Sequence, residues 1–298
     1  MTGAPRQRTP VSFTEDRNFD DLAPRFARNI YGGLKGRIRL EVLRRDFAQV
    51  LPGWLPGARP DSAGLNIPSD VGSPISAPQR VLDAGGGQGQ FSLPLAAAGH
   101  DLTLCDLSSA MLALARTAAA ESAISNVTFR HSAIQELARE CSDGHIAPFD
   151  LVICHSVLEW VTDQPGLINA LAQLLRPGGV LSLTFYNRHG LVMKNLLRGR
   201  RPPILDGSFT PSAGSLTPTR PLDPQDVLRW LGCCPPMEQE AGWQLLHRSG
   251  IRVFHDLLLT PEGRAMDPEQ LVALELELSL QEPYLSLGRY QHILARKR

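Results

Sequence analysis

The chain has 298 residues, with 30 Lys+Arg against 30 Asp+Glu and a formal net charge of zero; 43% of its residues are apolar and 20% charged. These values fit one large globular domain or two small ones and exclude collagen-like, coiled-coil and wholly disordered chains. No apolar run approaches the roughly 18–20 residues of a membrane helix, and Arg6 and Arg8 near the N-terminus have no apolar core behind them, so neither a membrane segment nor a secretory signal is expected. The cysteines (Cys105, Cys141, Cys154, Cys233 and Cys234) are odd in number and lack paired metal-ligand spacing; reduced thiols in a cytoplasmic protein with no metal are the expectation.

Residues 1–15 show no apolar periodicity and are expected to be mobile. From Asp16 to about Val50, Phe19, Leu22, Phe26 and Ile30 and then Leu34, Ile38 and Val42 recur at helical spacing, with Gly32-Gly33 as a break between two helices. Residues 52–79 hold six prolines and four glycines and read as a long surface loop, an insertion in an otherwise compact domain. An α/β alternation follows. Arg80–Asp83 is a strand, Ala84–Gln90 a glycine-rich turn, and Phe91–Ala98 a helix. Leu102–Cys105 is a strand ended by Asp106, and Ser108 or Ser109 caps a helix through Glu121. Val127–Phe129 and Phe149–Cys154 are strands, the latter almost continuously apolar, as in a strand covered on both faces. Pro165–Leu175 is helical and stops at the turn Arg176–Gly179; Val180–Tyr186 is the fifth strand. After a second proline-rich stretch, Pro202–Pro224, come a helix near Gln225–Leu231, a strand near Trp243–His255, a helix near Pro268–Leu280 and a last strand near Gly288–Arg296. The alternation predicts a parallel doubly wound sheet in a single domain over 16–298.

The zero net charge hides a pattern. Residues 22–40 hold Arg25, Arg28, Lys35, Arg37 and Arg39 and no acid, and residues 164–205 hold Arg176, Arg188, Lys194, Arg198, Arg200 and Arg201 and no acid. The rest of the chain is correspondingly acidic, and local fields steer an anion more than the sum does.

The most informative turn is Asp83-Ala84-Gly85-Gly86-Gly87-Gln88-Gly89. Spaced glycines let the backbone approach a ligand closely, and the following helix would offer its N-terminus to an anion. A dinucleotide fingerprint needs G-x-G-x-x-G, and the third position is Gln90 or Ser92 in the two possible registers, so that motif is absent. An ordinary tight turn is the alternative. Asp106, at the end of the second strand, is placed to accept hydrogen bonds from ribose hydroxyls; a helix-capping role competes.

The loop acid-x-Gly-x-Gly-x-Gly resembles that of class I S-adenosylmethionine methyltransferases. Further segments resemble one family closely: Asp16–Asp21, Arg28–Gly32, Lys35-Gly36, Val157–Val161, Phe185–Asn187, Arg252–Asp256 and Gln281–Tyr284. The chain is similar to the bacterial tRNA 5-carboxymethoxyuridine methyltransferases over roughly residues 15–297, with 52–79, 202–224 and Gly232–Met237 as insertions and 16–50 as an N-terminal helical cap. The resemblance implies a Rossmann-like fold with a mostly parallel seven-stranded sheet. It also implies methyl transfer from S-adenosyl-L-methionine to the carboxylate of 5-carboxymethoxyuridine at the tRNA wobble position. Implied cofactor contacts are Arg39 (with Arg37 as competitor), Asp83, Gly85, Gly86, Gly87, Asp106, Ile134, Gln135 and His155. A solvent-facing Gln135 and a purely structural His155 are the plainer alternatives. Lys35, Arg37, Trp160, Lys194, Arg198, Arg200 and Arg201 are candidates for tRNA contact, either as phosphate partners or, for Trp160, as a stacking platform. His155, Tyr186 and Arg188 are candidates for positioning the acceptor, and His155, Arg188 and Arg252 are equally candidates for holding its carboxylate. No DNA, membrane or metal partner is implied. A methyltransferase for a small metabolite, and a non-catalytic S-adenosylmethionine- or RNA-binding module, are the competing readings.

Overall fold

The computed structural model describes residues 16–21, 33–55, 77–205, 209, 217–233 and 242–298. The expectations for residues 1–15, most of the first proline-rich stretch, Arg25, Arg28–Gly32 and Cys234 lie outside them. Among the described residues the main helices are α1 (Gly33–Val50), α2 (Leu93–Ala97), α3 (Ser109–Glu121), α4 (Ile134–Ser142), α5 (Gln164–Leu174), α6 (Arg188–Leu196), α7 (Pro224–Trp230) and α8 (Pro268–Leu278). The strands are β1 (Arg80–Ala84), β2 (Asp101–Asp106), β3 (Val127–His131), β4 (Phe149–His155), β5 (Leu175–Tyr186), β6 (Trp243–Ile251) and β7 (Tyr290–Lys297).

The strands form one sheet in the order β3-β2-β1-β4-β5-β7-β6. β1 to β5 pair in parallel, and β7 runs antiparallel to both β5 and β6. Strand alternation divides the core between two faces. Leu82, Val152, Leu183 and Ile293 pack with Leu137, Leu167 and Val227 of α4, α5 and α7. Val81, Leu151, Ile153 and Leu294 pack with Ile38 and Phe47 of α1, Leu93 of α2 and Leu271 of α8. The sheet order reverses between β1 and β4, so the carboxyl ends of those strands open a crevice.

Several elements depart from the sequence reading. Residues 16–21 are not helical. Their polar groups bind the sheet's carboxyl edge instead: Thr162 donates to Asp16 Oδ1 at 2.8 Å through its N–H, and Asn18 Nδ2 donates to the Leu107 carbonyl at 3.1 Å. Arg176–Gly179 is no helix-ending turn; β5 starts at Leu175 and absorbs it at an irregularity opposite Phe149 and Leu151. There Arg176 pairs with Asp150. β6 stops at Ile251 rather than His255 because Arg252 takes a φ of +58°, which breaks extended pairing. α2 is shorter than expected and begins at Leu93, with Ser92 at its N-cap and Pro94 in its first turn, where the missing N–H does no harm. α4 and α6 were not anticipated as helices. Residues 217–222, inside the second proline-rich stretch, dock on the end of β5 through Leu222, whose N–H donates to the Tyr186 carbonyl at 3.0 Å.

One buried carboxylate ties the far half of the sheet to α1. Asp46, fully buried, accepts from Arg45 Nη2 at 2.6 Å, from Ser249 Oγ of β6 at 2.5 Å and from His292 Nδ1 of β7 at 2.7 Å, and His247 Nε2 lies 2.9 Å away. Burial alone would raise its pKa, but the charges of His247 and Arg45 and these hydrogen bonds hold it well below the ordinary carboxylate range. A carboxylate with a depressed folded-state pKa contributes stability above its unfolded value, about 3.9, and loses it as the pH falls through the folded value. Asp46→Asn leaves Arg45 buried without its counter-charge and is expected to cost about 3–5 kcal/mol, read as a lower urea midpoint at neutral pH. The deficit should shrink on acidification, and an unchanged midpoint would refute the hub.

Candidate active site

The crevice at the carboxyl ends of β1, β2 and β4 holds a cavity whose lining includes Arg39, Asp83, Gly85–Gly87, Asp106, His155 and Trp160. The glycine turn forms its floor. Gly85 has a φ of +74°, and a Cβ there would run into Val157. A Cβ on Gly86 would sit 2.5 Å from the Asp83 carboxylate. These glycines are needed for close approach, not merely for turning. The turn does not cradle an anion as expected. The N–H groups of Gly85 and Gly86 donate to the Cys105 carbonyl at 2.8 and 3.1 Å, and that of Gly89 to the Gly86 carbonyl at 2.9 Å; the helix behind is only five residues long.

Asp106 is braced at both oxygens, accepting from Gly87 N–H at 2.8 Å and from Ser108 N–H at 2.7 Å. A carboxylate oxygen has two acceptor positions, so each keeps one for a ligand. The helix cap of α3 belongs to Ser108, whose hydroxyl accepts from Met111 N–H. Burial raises the Asp106 pKa, against the two backbone hydrogen bonds. Asp83 is buried more deeply, and its carboxyl is pushed up to about 7 by burial, against Ser92 and with Asp106 adding its own repulsion.

On the opposite wall the guanidinium of Arg39, 6% exposed, lies 4.1 Å from the Tyr290 ring centroid. The structure separates it from its competitor: Arg37 is on the outer face of α1 with both guanidinium nitrogens 2.5 Å from Glu269. Glu159, absent from the sequence reading, is fully buried, and burial raises its carboxyl to about 7 while the Arg39 charge pulls it down.

His155 is the end of a polar chain that crosses the sheet. Its Nε2 is 2.7 Å from Ser182 Oγ, Ser182 Oγ is 3.0 Å from His292 Nε2, and His292 Nδ1 is 2.7 Å from Asp46. An ionised Asp46 accepts from His292 Nδ1, so the neutral His292 ring accepts from Ser182 at Nε2, and Ser182 accepts from His155 Nε2–H. This assignment leaves His155 Nδ1 as the ring's acceptor. Burial, with the Arg39 charge adding to it, holds the His155 pKa well below its ordinary value, so the ring is neutral near pH 7 and supplies no cation for a carboxylate.

The other candidates separate by place. Trp160 is 8% exposed, lines the cavity and packs edge-on against Phe19 at 5.0 Å, so it is a wall rather than an exposed platform. Ile134 and Gln135 open α4 beyond β3 and are not among the cavity's lining residues. Tyr186 is buried, and its hydroxyl accepts from Arg289 Nη1 at 2.5 Å. Arg188 is half-buried at the start of α6, Lys194 half-buried further along it, and Lys35, Arg198, Arg200 and Arg201 are exposed. Phe19 and Asp20 were missed as site residues. Phe19 lines the cavity, and Asp20 Oδ1 accepts from Ser108 Oγ at 2.6 Å, closing the strap of residues 16–21 over the end of β2.

The cavity thus offers a backbone floor without room for side chains, a strand-end carboxylate with free acceptor positions and a buried cation opposite. These fit a nucleoside with a charged amino-acid tail, as in S-adenosylmethionine. Fold and cavity together define a class I S-adenosylmethionine-dependent methyltransferase. Residues 81–179 match the family model described as "Methyltransferase domain". Among solved structures, magnesium protoporphyrin IX methyltransferase from Synechocystis PCC 6803 with bound SAH aligns at a TM-score of 0.55 and 19% identity, covering 94% of this chain and 96% of that one. The [4+2]-cyclase SpnF aligns at 0.52 and 17%, covering 94% and 93%; these likenesses show the fold alone. The tRNA 5-carboxymethoxyuridine methyltransferase of Escherichia coli (strain K12) is 41% identical over 286 residues, covering 95% of this chain and 97% of that protein. The ubiquinone biosynthesis O-methyltransferase of Aromatoleum aromaticum is 40% identical over 113 residues, 38% of this chain. This chain belongs to the tRNA 5-carboxymethoxyuridine methyltransferase family. Among the described residues no helix is long and apolar enough to cross a membrane, and no group of three or more His, Cys, Asp or Glu could hold a metal ion.

Asp106→Ala removes both the free acceptor positions and the brace on Gly87. It is expected to weaken S-adenosylmethionine binding by about 1–3 kcal/mol, the scale of hydrogen bonds to a charged group. Calorimetry checks this; wild-type affinity would remove Asp106 from the site.

Proposed function

We propose that this chain methylates the carboxylate of 5-carboxymethoxyuridine at the tRNA wobble position, giving the methyl ester 5-methoxycarbonylmethoxyuridine. The carrying observation is the 41% identity, over almost the whole of both chains, to the Escherichia coli protein of that name. In this reading Asp106 binds the ribose hydroxyls, Arg39 the methionine carboxylate, and Gly85–Gly87 the face of the nucleoside. His155 presents its Nδ1 acceptor to the cavity, and Ile134 and Gln135 meet the adenine edge. Asp83 underpins the turn from beneath Gly86. Free thiols at the four described cysteines support a cytoplasmic setting.

Held by Asp106, Arg39 and the glycine turn, S-adenosylmethionine would supply an electrophilic methyl on a sulfonium, a centre whose departing form is a neutral thioether. A carboxylic acid with a pKa near 4 is ionised at pH 7, so the attacking oxygen needs no general base, and the neutral His155 is not asked to be one. What the protein supplies is placement of that oxygen and exclusion of water by Phe19, Trp160 and the strap.

The RNA-facing reading rests on the exposed arginines at the end of α6. Arg198, Arg200 and Arg201 lie just past α6, the helix that follows β5, and have the exposure that phosphate contacts need. Arg37 is engaged by Glu269 and Trp160 faces the cavity, so neither is retained. Exposed Lys35, on α1, is retained as a phosphate contact.

The purified protein is expected to convert 5-carboxymethoxyuridine to its methyl ester in tRNA from cells lacking the enzyme, read by nucleoside mass analysis. Absence of transfer to that tRNA would end this reading and favour a small-metabolite acceptor. Replacing Arg198, Arg200 and Arg201 together by Gln is expected to weaken tRNA binding and reduce the slope of log affinity against log salt by about 2–3. An unaltered slope would place the phosphate track elsewhere.

A further inference from the structure

The ends of three neighbouring strands bring a second charged site to the same edge of the sheet. Tyr186 closes β5 and pairs with Tyr290, the first residue of β7, which in turn pairs with Ile251, the last of β6. Arg289 immediately precedes β7 and Arg252 immediately follows β6. Arg252 Nη2 binds both oxygens of Asp256 at 2.5 Å, and Arg289 Nε reaches the same carboxylate at 3.2 Å. Lys194 of α6 lies in the field of both arginines and of Asp256. Three cations therefore gather about the Asp256 carboxylate; the nearby Glu275 carboxylate also feels the Arg252 charge, but it is taken up by the N–H groups of Val253, Phe254 and His255.

The excess positive charge is visible atom by atom. Arg252 Nε and Arg289 Nη2 are buried and have no hydrogen-bond partner, although Arg289 is only 6% exposed. Among the described residues Lys194 makes no ion pair or hydrogen bond. Buried donors on charged groups without partners are costly, and Arg252 is also held in the left-handed region, a strained conformation that clusters at functional sites.

We propose that Arg252, Arg289 and Lys194 form the subsite that holds the acceptor's carboxylate. It rests on the carboxylate-acceptor reading above. The location suits the chemistry. The Tyr186 and Tyr290 rings meet edge-on at 5.3 Å, with Arg289 over the outer ring at 5.5 Å and Arg39 of the cofactor cavity over the inner one at 4.1 Å. The cationic cluster is thus one aromatic pair away from the donor cavity. Burial, then the Arg289 charge, draws the Lys194 ammonium down to about 8, the state of a cation short of a counter-ion. Asp256 keeps the arginines spread and aligned rather than neutralising them. The donors left over, Arg252 Nε, Arg289 Nη2 and the Lys194 ammonium, sit on charged groups and would meet a carboxylate with charge-assisted hydrogen bonds.

The test compares one tRNA in three forms, bearing 5-carboxymethoxyuridine, its methyl ester or unmodified uridine at the wobble position. Wild-type protein is expected to bind the acid form at least tenfold more tightly than the other two. Lys194→Met and Arg252→Gln should erase that preference and raise KM for the acid form at least tenfold, with S-adenosylmethionine affinity and thermal melting retained. Arg252→Lys should restore part of it. If Arg252→Gln melts early, Lys194→Met, on the half-exposed side of α6, decides alone. Equal weakening of all three tRNAs would show a phosphate contact and overturn the subsite, as would variants that keep full discrimination. No methylation by wild-type protein would instead overturn the acceptor reading itself.

Discussion

Asp46 is the constraint on which the far half of the molecule depends. It sits on α1, yet its partners come from β6 and β7, so one ionised group holds a helix to two strands. Removing a carboxylate from water is expensive, and it persists because Arg45, Ser249, His247 and His292 surround it. The same group fixes the proton positions of His292, Ser182 and His155 in sequence. A structural charge over the β6–β7 end of the sheet thereby sets which nitrogen of a histidine is left as an acceptor at the cofactor cavity, two strands away on the same face.

Two buried acids near the cavity, Asp83 and Glu159, sit at about 7, whereas Asp46 and Asp256 are held below the ordinary carboxylate range. The difference is in their neighbours. Asp83 faces Asp106 and has no cation to compensate burial, and Glu159 has Arg39 as its compensating charge. Asp46 and Asp256 each have an arginine in direct contact. Asp83 and Glu159 are thus only partly charged near neutral pH, and the acids that anchor cations are strongly charged. Placement and local field, not proton transfer, are what such an arrangement offers to a nucleophile that arrives already ionised.

Much of the parallel half of the sheet is legible in the sequence. Apolar runs at Val81-Leu82 and Leu151–Cys154, the glycine turn and Asp106 all carry local signals of their function, since they depend on short-range periodicity and on positions where a Cβ does not fit. The Arg39–Arg37 ambiguity was not resolvable by spacing, because it turns on which face of α1 meets the cavity. Residues 16–21 were misread because Phe19 fits a helical period while Asp16, Asn18 and Asp20 are used by distant backbone groups at Thr162, Leu107 and Ala110. The cluster at Asp256 left no motif beyond Arg252–Asp256; its members come from three separate segments between Lys194 and Arg289, and only strand register assembles them.

The reversal of β7 has a consequence for how recognition is divided. A strand that runs against its neighbours starts where they finish, so the whole excursion between β6 and β7 is delivered to the edge already occupied by the ends of β4 and β5. Donor-binding groups come chiefly from the parallel half and acceptor-facing groups from the antiparallel corner, with a pair of tyrosines as the boundary. Drift in the corner can change which anion is received while leaving the nucleoside floor as it is. A single change of strand direction gives the fold two separately variable halves meeting at one reaction point.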